Sequence, residues 1–254
     1  MLGRARHLPV SERHCTCGAH DLHLCVLWSR VDDHLKRAHG LGLDDLDLES
    51  DNPDVFARHN RAFFDSVAAA SGRQVIVDSS KSPRRLAGLL NLKGIDVRPV
   101  QIRRSPLGVV HSQIRKQRPW VRHAVQYGRH MAQADHACGR HAVYRLRYEA
   151  LASDPEAALV PLMRWVGLAF ERRQLDWRSL GHHSVGGNQM RFGRDSSIRV
   201  DESWKTGLTM WQKAGIRLLA GPPALAAIGL AEACVRSLRR SSRNSLTLDR
   251  RTDE

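Results

Sequence analysis

The 254-residue sequence has few aromatic side chains and no long apolar run. Phe, Trp and Tyr make up 6% of the residues, so a protein that stacks single-stranded bases on aromatic rings would have few platforms. No segment approaches the roughly 20 apolar residues that span a bilayer, because two prolines and two glycines interrupt the apolar stretch 218–230. Residues 1–10 are basic and lead into no apolar core of a secretory signal. These absences predict a cytoplasmic protein without stable membrane insertion.

Positive charge is in clear excess, since 40 Lys and Arg residues outnumber 26 Asp and Glu residues and the net charge is +14. A basic balance predicts an anionic partner, which could be nucleic acid, acidic lipid or a phosphorylated or sulfated ligand. No helix-turn-helix or zinc-finger pattern is recognisable, which argues against nucleic acid. The Ser- and Arg-rich segment 231–254 is predicted to be a disordered basic tail, and residues 1–230 a single α/β domain.

The cysteine content is odd, with five residues, and three of them crowd near the N-terminus at Cys15, Cys17 and Cys25. An odd, unevenly spaced set indicates a reducing compartment. Zinc binding is one hypothesis for the cluster, because three histidines lie nearby in the sequence: His14, His20 and His23. The spacing matches no familiar closed zinc site and no fourth cysteine is close, so we favour a structural or inert cluster and predict no metal.

Apolar periodicity and capping residues predict alternating helices and strands. The predicted helices cover residues 53–70, run onward from Pro83 and from Pro106, and cover 121–139 and 155–165. The predicted strands cover residues 75–77, 97–102 and 142–146. This alternation predicts a parallel sheet with helices on both faces. The glycine-rich, basic segment 181–207 is predicted to be a long functional loop.

One local pattern occurs twice: a predicted strand, a cation, a Ser-Pro pair and a helix. The cation is Lys81 in the first copy and Arg104 in the second. Helix N-termini present free N–H groups and a partial positive charge, and ligands bind at the carboxyl ends of parallel strands. Both copies therefore predict one compact site for phosphate or sulfate.

The second copy contains a residue pair suited to a phosphate. Ser105 and Ser112 are seven residues apart and share a helix face, and Arg104 lies where that face meets the strand. A guanidinium fork binds two phosphate oxygens while a hydroxyl donates to a third. The alternative is that Arg104 is a surface residue and Ser112 a half-buried helix serine.

Residues 100–112 resemble the 3′-phosphate-binding segment of sulfotransferases that use 3′-phosphoadenylyl sulfate (PAPS), an apolar strand followed by R-D-P-x-x-x-x-x-S. Ser105 replaces the usual Asp and Leu107 a common Arg. Four further segments resemble family motifs in the same order. They are C-x-C-G…C-x-x-W at 15–28, D-x-S-K-S/T-P at 78–83, R-Y-E-D-L…D-P at 147–155 and G-N-P-x-R-F…W at 187–204.

The resemblance implies a P-loop-NTPase-like parallel sheet and transfer of a sulfuryl group from PAPS to an acceptor hydroxyl or amine, without a metal. Five residues would bind the donor nucleotide: Arg104, Ser112, Tyr148, Arg191 and Phe192. Lys81 would assist the sulfonate or the leaving oxygen.

The acceptor hydroxyl also needs a base, and Asp78 is one candidate. The alternative for Asp78 is a strand-end carboxylate paired with a basic residue. His111 and His183 are weaker candidates, because the chain carries 14 histidines. The acceptor itself stays open among a carbohydrate, a lipid, a small hydroxylated metabolite and a peptide tyrosine.

One motif of the family is not recognisable in this sequence. Its first strand and its 5′-phosphosulfate loop, P-x-S/R-S-G-T-T, have no counterpart in residues 1–15, and no G-x-x-x-x-G-K-[ST] loop occurs elsewhere. We therefore expect a sheet without that strand, explained by a start assigned too far downstream or by a true truncation. Two alternatives remain for function: an inactive nucleotide-binding remnant, and a basic nucleic-acid-binding protein that would show salt-dependent binding to duplex DNA.

Overall fold

The computed structural model describes residues 15–177, 179, 181–184 and 198–221. Strands β1 and β2 are Val100–Arg103 and Tyr144–Arg147. Helices α1 to α9 are, in chain order, Val26–His34, Pro53–Ser71, Pro83–Leu90, Pro106–Ile114, Trp120–Cys138, Tyr148–Ser153, Pro155–Trp165, Trp204–Gly207 and Met210–Leu219. β1 pairs with β2 in a small parallel sheet, and α4 and α5 lie between the two strands in the sequence. The predicted α/β class is confirmed.

Three helices begin at a capping residue that directly precedes a proline. Asn52 caps α2 by accepting hydrogen bonds from the N–H groups of Asp54 and Val55 at 2.9 and 3.2 Å. The Ser82 hydroxyl caps α3, and the Asp154 carboxylate caps α7. A proline occupies the first turn of each of these helices, where its missing N–H costs no hydrogen bond. These starts depend on neighbours in the sequence and were therefore predictable.

The predicted buried strand at residues 75–77 is wrong. The segment has no strand partner among the described residues, and the Val75 and Val77 side chains are 54% and 88% exposed. A β-branched run favours an extended backbone, but a strand exists only through hydrogen bonds to a neighbouring strand. The other two predicted strands shift toward their carboxyl ends, to 100–103 and 144–147.

The chain divides into two compact units. The first comprises the described residues of 1–100, 140–144 and 154–198, and the second those of 101–139, 145–153 and 199–254. The first unit buries an apolar cluster of Val31, Leu35, Leu43, Leu46, Leu48, Ala62, Phe63 and Ala70. The second buries Leu107, Val110, Ala124, Leu208 and Ile216. The prediction of one domain over residues 1–230 stays a prediction.

Close helix packing in the first unit depends on a glycine. Helix α3 lies against Phe56 of α2, and a Cβ at Gly88 would approach the Phe56 ring to 2.5 Å. The predicted basic tail 231–254 and residues 185–197 of the predicted loop 181–207 lie outside the described residues, and the end of that predicted loop forms helix α8. Within the described part, no helix combines the length and apolar content that crossing a bilayer requires.

Candidate functional site

Arg104 follows β1 and lies across the first turn of α4. Its guanidinium carbon is 4.5 Å from the centroid of the Tyr148 ring, a cation–π geometry that fixes the orientation of the fork. A Cβ at Gly108 would approach Arg104 Nε to 2.9 Å, so glycine at this position lets the guanidinium lie on the helix. The Arg104 carbonyl accepts a hydrogen bond from Tyr127 Oη at 2.7 Å. Both the backbone and the side chain of Arg104 are therefore positioned by neighbours.

A carboxylate from a distant part of the sequence forms an ion pair with Arg104. Arg104 donates to Asp201 Oδ2 at 2.9 Å, and Arg115 approaches the same oxygen to 3.5 Å. The hydroxyl and N–H of Ser203 donate to Asp201 Oδ1. The Ser203 hydroxyl bond, opposed by burial and reinforced by Arg104, lowers the pKa of Asp201 from 3.8 to about 2. Asp201 is thus an anion that two guanidinium groups and a hydroxyl bind together.

The first turn of α4 lies beside Arg104 and offers hydrogen-bond donors to an anion. The Ser105 hydroxyl makes no capping hydrogen bond, although the Ser105 N–H donates to Glu149 at 2.8 Å. Ser112 is half-buried on the same helix, and its hydroxyl has no hydrogen-bond partner among the described residues. N–H groups of a first turn that lack a side-chain cap attract a negative group.

His111 takes a structural position on α4. Its ring is buried, with Nδ1 3.3 Å from the Ser203 hydroxyl oxygen. A Cβ at Gly207 would come within 2.2 Å of His111 Nε2, so the imidazole fills the space that the glycine leaves. This packing favours a role in holding residues 201–207 over the general-base role considered from the sequence.

Asp78, in the first unit, is paired with the buried Arg85. Nε and Nη2 of Arg85 both lie 2.9 Å from Asp78 Oδ2, and Arg85 also donates to the Leu48 carbonyl at 3.1 Å. Only 2% of the Arg85 side chain is exposed. Burial by itself would raise the pKa of Asp78, but the Arg85 charge and the Ser80 N–H outweigh it and lower the pKa below 3.8.

This pairing favours the structural alternative for Asp78. A carboxylate whose pKa is held low by a buried guanidinium is a weaker proton acceptor than a free one. The role of Asp78 as a general base stays a prediction that this geometry does not favour.

Lys81 has a backbone conformation that is unusual for a side-chain-bearing residue. Its φ is +59°, in the left-handed region, directly before the Ser82 cap of α3. Its side chain is exposed, and its ammonium forms no ion pair among the described residues. The turn therefore presents a cation to solvent near a helix N-terminus.

The predicted site residues fall into three groups. Asp78 and Lys81 belong to the first unit, and Arg104, Ser112 and Tyr148 to the second. Arg191 and Phe192 lie outside the described residues. The structure brings Arg104 and Tyr148 into direct contact and places Ser112 on the helix that Arg104 crosses.

Three residues of the Arg104 site were not predicted to act there: Arg115, Asp201 and Ser203. Arg115 carried a usable signal, since it follows Ser112 by three positions at the end of the same helix. Asp201 and Ser203 belong to the segment 187–204 that resembles a family motif, but no local rule pairs Asp201 with Arg104, which is 97 positions away.

The parallel strand pair and its flanking helices form an α/β fold that is sulfotransferase-like. The fold is similar to the sulfotransferase domain from the curacin biosynthetic pathway. The TM-score is 0.50 at 16% sequence identity, and the match covers 78% of this chain and 79% of that chain. No protein-family model matches the sequence, and no curated protein matches it. At this identity the similarity concerns the fold alone.

Proposed function

We propose that the protein is a PAPS-dependent sulfotransferase whose Arg104 site binds the 3′-phosphate of the donor. The observation that carries the proposal is the Arg104 guanidinium, held on the Tyr148 ring and already engaged with an anionic oxygen of Asp201. One oxygen of a phosphate would accept the same charge-assisted hydrogen bond. The phosphate would then have two further free oxygens for neighbouring donors, whereas a carboxylate has one. The acceptor would be a hydroxyl or an amine.

The neighbours of Arg104 support a phosphate ligand. Arg115 is close enough to share the charge, and the Ser112 hydroxyl is a donor without a partner among the described residues. The first turn of α4 adds N–H groups and the positive end of its dipole. Arg191 and Phe192 complete the proposed set, as a second phosphate ligand and as a cover for the nucleotide.

Nucleotide binding tests this proposal directly. We expect adenosine 3′,5′-bisphosphate to bind at least about tenfold more tightly than adenosine 5′-phosphate, since one charge-assisted contact contributes about 1.5–3 kcal/mol. Isothermal titration calorimetry of the full chain at fixed salt measures both constants. Equal affinities would contradict a 3′-phosphate site. Tighter binding of the bisphosphate without sulfuryl transfer from PAPS would instead favour an inactive nucleotide-binding remnant.

Lys81 is proposed to stabilise charge on the sulfuryl group or on the leaving oxygen. We expect Lys81→Met to lower kcat by about tenfold or more, because a positioned cation acts on charge that develops in the transition state. The affinity for adenosine 3′,5′-bisphosphate should stay unchanged, since this nucleotide lacks the sulfonate. PAPS-dependent sulfation assays and calorimetry provide the two readouts, and Lys93→Met removes an equal charge as a control. An unchanged kcat would remove Lys81 from the mechanism.

A further inference from the structure

A compact group of metal-binding side chains lies in the first unit and includes none of the residues of the proposed function. We name it the Cys3His cluster, and it comprises Cys15, Cys17, Cys25 and His183. One ligand atom from each residue lies within 4.8 Å of every other. We propose that the Cys3His cluster binds a structural zinc ion.

The distances fit a tetrahedral zinc site. With the usual bond lengths, sulfur ligands of one zinc ion are about 3.8 Å apart, and a sulfur and a nitrogen about 3.6 Å apart. The Cys17 and Cys25 sulfurs are separated by 3.6 Å. His183 Nδ1 is 3.1 Å from the Cys25 sulfur and 4.0 Å from the Cys15 sulfur. These three separations lie within about 0.5 Å of the ideal values. The other pairs of ligand atoms lie within 4.8 Å of each other.

The backbone around the cluster holds the distant histidine in place. Thr16 and Ser184 form a bridge in which the Thr16 N–H donates to the Ser184 carbonyl at 3.1 Å and the Ser184 N–H donates to the Thr16 hydroxyl at 3.0 Å. Trp28 Nε1 donates to the His183 carbonyl at 3.1 Å. These bonds direct a segment 158 positions away onto the cysteine loop, so the grouping does not result from sequence proximity.

The burial of the cluster indicates a structural role. Cys15 and Cys25 are completely buried, His183 is half-buried and Cys17 is exposed, and the four side chains supply the four ligands of a tetrahedral ion. Three thiolates and one imidazole form a closed ligand set typical of structural zinc, whereas catalytic zinc keeps a position for water. His183 is therefore assigned as a metal ligand in place of the general-base role that was weakly considered from the sequence.

A zinc ion here would stabilise a connection between two chain segments that are far apart in the sequence. Ion binding to a site absent from the unfolded chain contributes its free energy to folding. His183 precedes the predicted nucleotide-binding residues Arg191 and Phe192 by a few positions, so the ion would anchor the start of that segment. The metal site itself does not depend on sulfuryl transfer.

Metal analysis of the full chain tests the proposal independently of activity. The chain is purified without a polyhistidine tag, dialysed and analysed by inductively coupled plasma mass spectrometry, and we expect about one zinc ion per chain. His183→Ala should lose the zinc and His183→Cys should retain it, because a fourth thiolate preserves the ligand number. His182→Ala and Cys138→Ser are matched controls outside the cluster and should keep full occupancy.

Cobalt gives a second readout that does not need a variant. Chelator-treated chain titrated with Co²⁺ should show thiolate-to-metal charge transfer and the strong visible bands of a tetrahedral site. The proposal would be overturned if the wild-type chain contained no zinc. It would also be overturned if Cys17 and Cys25 formed a disulfide after purification under reducing conditions. Full zinc occupancy in His183→Ala would do the same.

Discussion

Asp78→Asn is expected to lower the free energy of unfolding by about 3 kcal/mol at neutral pH, because it leaves a buried guanidinium without its counter-charge. Arg85 is 2% exposed, and both of its contacts to Asp78 are 2.9 Å long. The Leu48 carbonyl and the faces of Phe63 and Phe64 surround the rest of the guanidinium, and none of these carries a negative charge. An asparagine amide would have about the same size but would not compensate the charge.

Thermal and urea unfolding followed by circular dichroism measure this effect, and a loss of about 3 kcal/mol corresponds to a fall in Tm of about 6–12 °C in a protein of this size. Asp51→Asn is the control, since Asp51 pairs with Arg84 at a site where its own side chain is 94% exposed, and we expect no measurable change. The double variant Asp78→Asn with Arg85→Met should be more stable than Asp78→Asn alone, because it removes the uncompensated charge. A neutral Asp78→Asn would show that the pair is not structural and would favour the general-base role.

The stability contribution of Asp78 should depend on pH in one direction. Its pKa is lowered in the folded protein, so the folded state binds fewer protons than the unfolded state near pH 3.8. The contribution is therefore present above pH 3.8 and is lost as the pH falls through the folded pKa. Acid unfolding of Asp78→Asn should lack this component.

Arg104→Ala is expected to weaken binding of adenosine 3′,5′-bisphosphate by roughly tenfold to a hundredfold, because it removes a charge-assisted bond to the 3′-phosphate. Binding of adenosine 5′-phosphate, which lacks that phosphate, should change little. Calorimetry with both nucleotides on both proteins forms a cycle that isolates the interaction with the 3′-phosphate. Arg145→Ala is the matched control, since Arg145 lies on β2 and is 57% exposed. This substitution removes the same charge as Arg104→Ala. Equal losses for both nucleotides would contradict the assignment.

Asp201→Asn should have the opposite effect on the same measurement. Asp201 occupies the guanidinium of Arg104, so a phosphate must displace its carboxylate. The amide should release this competition and tighten bisphosphate binding by up to about fivefold, since a partly exposed ion pair contributes up to about 1 kcal/mol. Because the pKa of Asp201 is about 2, the competing carboxylate stays ionised through the whole range of an ordinary binding assay. Weaker binding in Asp201→Asn would show that Asp201 supports Arg104 instead of competing for it.

The fold was partly predictable because its helix termini are local. Asn52, Ser82 and Asp154 cap their helices through bonds to N–H groups two or three residues away, and Gly72 and Gly167 adopt the left-handed conformation after the helices they follow. The sheet was less predictable, because the partner of a strand can lie anywhere in the chain. Residues 75–77 have the composition of a strand and no partner among the described residues.

The candidate site was also predictable in its local features and unpredictable in its long-range contacts. The sequence alone determined which residues could bind an anion: Arg104 after a strand, Ser112 on the face of the following helix, and Lys81 before a helix N-terminus. Only the tertiary structure decided what each charged or metal-binding side chain meets: Asp201 for Arg104, Arg85 for Asp78, and His183 for the three cysteines. The physical reason is range, since a cap or a helix face is formed by residues a few positions apart, whereas an ion pair or a coordination sphere joins whichever groups the packed chain brings within about 4 Å.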